Sequence, residues 1–219
     1  MRITGRTILP IFRMPPFKAK TELIDGPVGA IEVDVADPAA TATVERRGIA
    51  VIAHPHPLMG GTKDNKVVTT LARTLYAMGY ATLNPNFRGV GASAGAHDEG
   101  RGETDDLIAV VHYAQERFGN LPLVCAGFSF GSFVQTRVAK QMNPQQLILV
   151  GPAVNRFNTE AVAAGTLVIH GEVDDVVPLS AVLDWARPQN LPIVVVPGGE
   201  HFFHGRLNVL QQIVTHHCR

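Results

Sequence analysis

The chain has 219 residues, of which 46% are hydrophobic, so it is long enough for one α/β domain with a substantial core. Nineteen Lys and Arg balance nineteen Asp and Glu, giving zero formal charge, which argues against nucleic acid or an anionic membrane as a partner. Two cysteines, Cys125 and Cys218, are too few for a disulfide framework or a zinc site.

Residues 1–17 are rich in proline and poorly periodic, and read as an N-terminal extension or an edge strand over Arg6–Phe12. They resemble neither a signal peptide nor a transit helix. No apolar run approaches the roughly 18 residues that span a bilayer, so a cytoplasmic location is expected. The domain proper is expected over 18–219. Thr21–Ile24 and Ala30–Val35 flank Asp25-Gly26-Pro27 and predict a hairpin with a longer loop. Asp37–Arg47 reads as a polar loop.

Gly48–Ala53 is a continuous apolar run, as a strand buried on both faces requires. The stretch His54-Pro-His-Pro-Leu-Met-Gly-Gly61 follows it. Val67, Val68, Leu71, Leu75 and Met78 recur at helical spacing, and Gly79 stops that helix. Tyr80–Leu83 predicts the next strand. After a loop, Glu103–Phe118 predicts a helix with Glu103, Asp105 and Asp106 in its first turn, where acids complement the dipole.

Leu123–Ala126 predicts a strand that runs into Gly127-Phe-Ser-Phe-Gly131 and then a helical segment. In that context Gly-x-Ser-x-Gly signals a sharp turn that pushes the Ser129 hydroxyl out of the sheet. The two glycines are needed where neighbouring backbones crowd the turn. Gln146–Val150, Thr166–His170 and Pro192–Val196 predict further strands. Leu179–Ala186 predicts a short helix, and Leu207, Leu210, Ile213 and Val214 line one face of a last one, which His204 is expected to open. Cys218 falls in an expected frayed terminus. From residue 48 onward strands alternate with helices, which predicts a mostly parallel central sheet with helices on both faces. Ligands of such sheets bind beyond the carboxyl ends of the strands, where every polar cluster of this chain falls.

A serine hydroxyl is a weak nucleophile at neutral pH and needs a base, itself oriented by a carboxylate. Downstream of Ser129, Asp174 and Asp175 follow one strand and His201 follows the next. His201 is the expected base. Its rivals are His170, expected to bond locally and hold the acid loop, and His204, expected to open the last helix. Asp174 is preferred as the acid over Asp175 and Glu172. An oxyanion needs two N–H donors. Phe130, the residue after the nucleophile, is expected to supply one. Pro55 and Pro57 have no N–H, so the loop after Ala53 leaves His56 or Leu58 for the other, with Leu58 preferred. His54 and His56 are expected to pin that loop by hydrogen bonds. Without a third ligand they do not read as a metal site, and no cofactor is called for. Arg88-Gly89-Val90-Gly91 lacks the Lys-Ser/Thr of a phosphate-binding loop, so Arg88 is expected to brace loops under the site.

Five motifs in order carry a resemblance: His54–Gly61, Asn86-Phe-Arg-Gly-Val-Gly91, Gly127-Phe-Ser-Phe-Gly-Ser132, His170-Gly-Glu-Val-Asp-Asp175 and Glu200-His-Phe-Phe-His-Gly205. From about residue 20 onward the chain resembles the α/β-hydrolase superfamily. Within it, the motifs are similar to small lidless bacterial hydrolases related to dienelactone hydrolase. The resemblance implies an α/β-hydrolase fold, Ser129, Asp174 and His201 as a triad, and hydrolysis of an ester-like bond. Lids in this superfamily insert after the strand matching Gln146–Val150. Here residues 151–165 are too few for a cap domain, so an open site for short acyl chains is expected. A carboxylesterase acting on a small-molecule ester is the leading reading. A thioesterase, lactone hydrolase or small peptidase with the same triad, and a non-catalytic ligand-binding scaffold, are the alternatives. Either a monomer or a homodimer is compatible with the sequence.

Overall fold

The computed structural model describes residues 16–40 and 45–218. Its strands are β1 (Lys20–Gly26), β2 (Gly29–Ala36), β3 (Gly48–Ala53), β4 (Tyr80–Pro85), β5 (Leu123–Phe128), β6 (Gln146–Val150), β7 (Leu167–Gly171) and β8 (Ile193–Val196). They form one sheet in the order β1-β2-β4-β3-β5-β6-β7-β8. Only β2 runs against the others, pairing antiparallel with both β1 and β4. The helices are α1 (Lys66–Ala77), α2 (Arg101–Phe118), α3 (Phe130–Met142), α4 (Leu179–Ala186) and α5 (Leu207–His217). The edge strand expected over Arg6–Phe12 lies outside the described residues.

Alternation along the central strands divides the core in two. Ile49, Val51 and Ala53 of β3 face one cluster with Leu107 and Val110 of α2, Val134 and Val138 of α3, and Val182 of α4. Ala50 and Ile52 face the other, with Val67, Leu71 and Leu75 of α1 and Leu210 and Val214 of α5. Every residue of β3, β4 and β5 is buried, which explains why β3 and β5 read as unbroken apolar runs, while β4 buries Thr82 and Asn84 as well. All the parallel strands point their carboxyl ends at the same edge, and the site is built there.

Some local expectations change. The hairpin is tight: β1 and β2 extend to Gly26 and Gly29, which pair directly, so only Pro27 and Val28 turn the chain. Helix α2 begins two residues earlier than its acids suggest. The Glu103 carboxylate accepts from the Gly100 and Asp98 N–H groups at 2.8 and 2.9 Å, capping the helix from inside its first turn. Asp106 turns inward rather than serving the dipole. Helix α5 starts at Leu207, and His204 lies in the preceding turn with Nδ1 3.3 Å from Glu200 Oε2. Cys218 is buried against the α1/α5 face rather than frayed.

Candidate active site

Ser129 sits between β5 and α3 with φ 55° and ψ −116°, a backbone conformation that costs a non-glycine residue energy. The surrounding structure holds it there. The Ser129 N–H donates to Val150 O at 2.9 Å. A Cβ on Gly127 would collide with the Gly131 carbonyl, and one on Gly131 would collide with the Ala53 carbonyl. Ser132, whose role the motif does not announce, locks the turn: its buried hydroxyl donates to Gly127 O at 2.7 Å and accepts from Val150 N at 3.1 Å. Gln135, one helical turn on, donates to Val51 O and Ala126 O across β3 and β5.

The structure brings Ser129, His201 and Asp174 together from three loops. His201 Nε2 lies 3.1 Å from Ser129 Oγ, and its Nδ1 lies 2.7 Å from Asp174 Oδ2. All three residues are buried. Burial opposes ionisation of Asp174, but the His201 hydrogen bond, the Val177 N–H and the nearby imidazoles outweigh it and hold its pKa below the ordinary value. Oδ1 accepts from the Val176 and Val177 N–H groups at 3.0 and 2.7 Å, fixing the carboxylate's second oxygen. Asp175 points to solvent at the cleft wall, and Glu172 accepts from the Gly198 N–H. His170 is fully buried 3.6 Å from Asp174 Oδ2, with Nε2 2.9 Å from Val177 O, so it braces the acid loop. Burial lowers its pKa and keeps it neutral.

The loop after β3 differs from expectation at one residue. The Leu58 N–H donates to the imidazole of His56 at 3.2 Å and Leu58 itself is 72% exposed, outside the cleft. The chain turns at Pro57–Met59 into a short 3-10 helix capped by His56, and that cap consumes the Leu58 donor. The His56 N–H makes no hydrogen bond among the described residues, and His56 lines the cleft beside Ser129 and Phe130. Phe130 is the first residue of α3, so its N–H has no partner within the helix. Among the described residues the Phe130 and His56 N–H groups are thus without a hydrogen-bond acceptor, whereas that of Leu58 is engaged by His56.

Buried side chains hold this loop. His54 Nδ1 lies 2.6 Å from Pro55 O and its Nε2 accepts from the Phe87 N–H at 2.9 Å. Desolvation drops the His54 pKa to about 4, so the ring stays in the neutral form that this pattern requires. Lys63, almost fully buried, pairs with Asp34 at 3.0 Å while its N–H donates to Asn86 at 2.9 Å. Arg88 makes two 2.8 Å bonds to Asp106, and the pair is nearly sealed from water, at 9% and 3% exposure. Arg88→Met should leave the Asp106 carboxylate buried without a partner and cost about 3–5 kcal/mol. A urea denaturation series checks this, and adding Asp106→Leu should recover most of the loss. An Arg88→Met protein as stable as the parent would show that the pair does not brace the fold.

The cleft over Ser129 holds about 380 Å³, with Met59, Gly60, Arg156, Phe157 and Phe202 in its walls. Residues 151–166, where a lid would insert, carry no helix or strand. Among the described residues no three His, Cys, Asp or Glu gather as metal ligands, and no helix is long and apolar enough to cross a membrane.

Comparisons with known proteins agree with this architecture. An α/β serine hydrolase homologue from Coxiella burnetii superposes with a TM-score of 0.83 at 39% identity, over 90% of this chain and 96% of that one. An α/β serine hydrolase without lid from Xanthomonas campestris gives 0.84 at 38%, over 93% and 95%. An uncharacterised protein of Rickettsia prowazekii is 31% identical over 194 residues, 82% of this chain and 80% of its own. The lysophosphatidylserine lipase of Danio rerio is 31% identical over 100 residues, only 26% of its length. The family model described as serine aminopeptidase, S33, matches residues 45–159, from just before β3 through the Ser129 turn to the loop after β6. With a lidless relative at 38% identity and the family's model spanning more than half of it, the chain belongs to the S33 family of the α/β-hydrolase superfamily and is a serine hydrolase of that fold.

Proposed function

We propose that the chain is a carboxylesterase that cleaves small esters through an acyl-enzyme. The observation that carries this reading is the continuous line Ser129 Oγ, His201 Nε2, His201 Nδ1, Asp174 Oδ2, with contacts of 3.1 and 2.7 Å. Asp174 keeps the Nδ1 proton in place, so Nε2 presents its lone pair to the serine hydroxyl. Ser129 attacks the acyl carbonyl as its proton passes to His201. The tetrahedral oxyanion is held by the Phe130 and His56 N–H groups. His201 then gives the proton to the leaving alcohol as the C–O bond breaks. Water, deprotonated by His201, attacks the acyl-enzyme and frees the acid and Ser129.

The His56 imidazole supports the reading through its charge state. Burial, His97 and Arg156 together lower its pKa. A neutral ring keeps the lone pair that accepts the Leu58 N–H and so sets the turn carrying the His56 amide. The open, lidless cleft favours short acyl groups. In a p-nitrophenyl ester series, kcat/KM is expected to peak at two to four carbons and to fall by about tenfold or more at ten carbons, where a longer chain gains no buried surface. A fluorophosphonate is expected to label Ser129. The series should include a thioester, a lactone and an amino-acid p-nitroanilide. Faster turnover of the anilide than of any ester would replace the esterase reading with a peptidase one.

A further inference from the structure

The proposed esterase mechanism leaves the one cationic side chain in the cleft wall, Arg156, without a task. Arg156 lines the wall over Ser129, yet among the described residues no carboxylate lies within 4.0 Å of its guanidinium. Arg46, Arg88, Arg101, Arg117 and Arg187 have acid partners, whereas Arg47, Arg73, Arg137 and Arg206, like Arg156, show none among the described residues, but only Arg156 of these lines the cleft. The backbone beneath Arg156 is held firmly. Its N–H and that of Phe157 both donate to Ala153 O, and Asn155 Nδ2 donates to Val176 O at 3.2 Å, tying this turn to the acid loop. The Phe157 ring stacks on Phe133 at 4.7 Å and packs against Phe130 at 5.1 Å. Arg156 and His56 line the same cleft, and the Arg156 charge adds to burial and His97 in lowering the His56 pKa. Arg156 and Phe157 also border a second groove, where Arg101 and Arg137 are offset by Glu99 and Glu160.

We propose that Arg156 selects esters that carry an anionic group, a carboxylate or a phosphate, elsewhere in the small molecule. A planar guanidinium with five donors suits such oxygens, and an open cleft lets the anion bind without full desolvation. The opposing charge in the cleft wall is Asp175, whose carboxylate disfavours an anion. The selection rests on Ser129 being the nucleophile.

The test compares kcat/KM for matched anionic and neutral esters in two arms. One arm places the anion on the acyl side: p-nitrophenyl hemisuccinate against p-nitrophenyl butyrate. The other places it on the leaving group: 4-acetoxybenzoate against its methyl ester. In at least one arm the anionic-to-neutral ratio is expected to fall about fivefold in Arg156→Gln, the upper range for a partly solvated ion pair. Arg156→Lys should keep part of the ratio, Asp175→Asn should raise it, and salt should erode it in the parent protein but not in Arg156→Gln. Comparing each ratio between proteins cancels the intrinsic reactivity of the esters. A ratio unmoved by Arg156→Gln in both arms would overturn the selection while leaving the esterase reading intact. Failure of the parent protein to hydrolyse any of the four esters would overturn the esterase reading, and this selection with it.

Discussion

Ser129→Ala is expected to lower p-nitrophenyl acetate hydrolysis by at least about a thousandfold, and to abolish fluorophosphonate labelling. The size follows from what the hydroxyl does in the proposed mechanism. Without Oγ no acyl-enzyme forms, and what remains is attack by water helped only by the two amides and by binding. The fold should persist. Alanine has the same Cβ as serine, so φ 55° is no worse for it, and the turn is held by the Ser129 N–H, Ser132 and the crowded glycines rather than by the lost hydroxyl. Circular dichroism and a urea midpoint close to the parent's would confirm that. If a correctly folded Ser129→Ala protein hydrolysed the ester at the parent rate, Ser129 would not be the nucleophile.

The features legible in the sequence are those set by short-range rules. Gly48–Ala53, Gln146–Val150 and Leu179–Ala186 fall at the expected bounds because buried strands and an amphipathic helix write their periodicity directly into the chain. That Ser129, Asp174 and His201 would meet can be read because parallel strands deliver their following loops to one edge. Misreadings arise where a side chain answers its own backbone. The His56 imidazole takes the Leu58 N–H, and the Glu103 carboxylate caps its helix from within. Neither contact has a sequence period, and each moves a donor or a helix start by two residues. Ser132 is hidden for another reason: a serine in a helix reads as solvent-facing, and only the proximity of β6 shows that its hydroxyl bridges two strands. Its one signal in the sequence is the contrast with its neighbours, since it falls among the buried positions of α3 beside Phe133 and Val134. Cys218 reads as frayed because terminal position says nothing of the face on which a last helix packs.

The choice between neighbouring acids can be tested more sharply than by removing either. Asp174→Asn is expected to lower kcat by about 10⁴-fold, whereas Asp175→Asn should change it by less than about tenfold. In Asp174→Asn the amide oxygen of the new side chain can still accept from the Val176 and Val177 N–H groups, so the loop keeps its shape. The amide nitrogen would then face His201 Nδ1, where Asp174 Oδ2 now stands at 2.7 Å. A donor there forces Nδ1 to accept and moves the ring proton to Nε2, the nitrogen that must take the serine's proton. His170 offers no substitute, because its Nε2 is engaged with Val177 O. Asp175 cannot reach inward without unwinding the turn that Asp174 itself fixes. A second readout separates this electrostatic role from shape. The Asp174 pKa lies below its ordinary value in the folded protein, so its ionised form contributes stability above the ordinary value of 3.8. That contribution is lost as the pH falls through the lowered value, where the unfolded chain binds a proton more readily than the folded one. The parent should therefore lose stability relative to Asp174→Asn across that acid range. Parallel pH–stability curves for the two proteins, or a larger loss of kcat in Asp175→Asn than in Asp174→Asn, would move the acid's role away from Asp174.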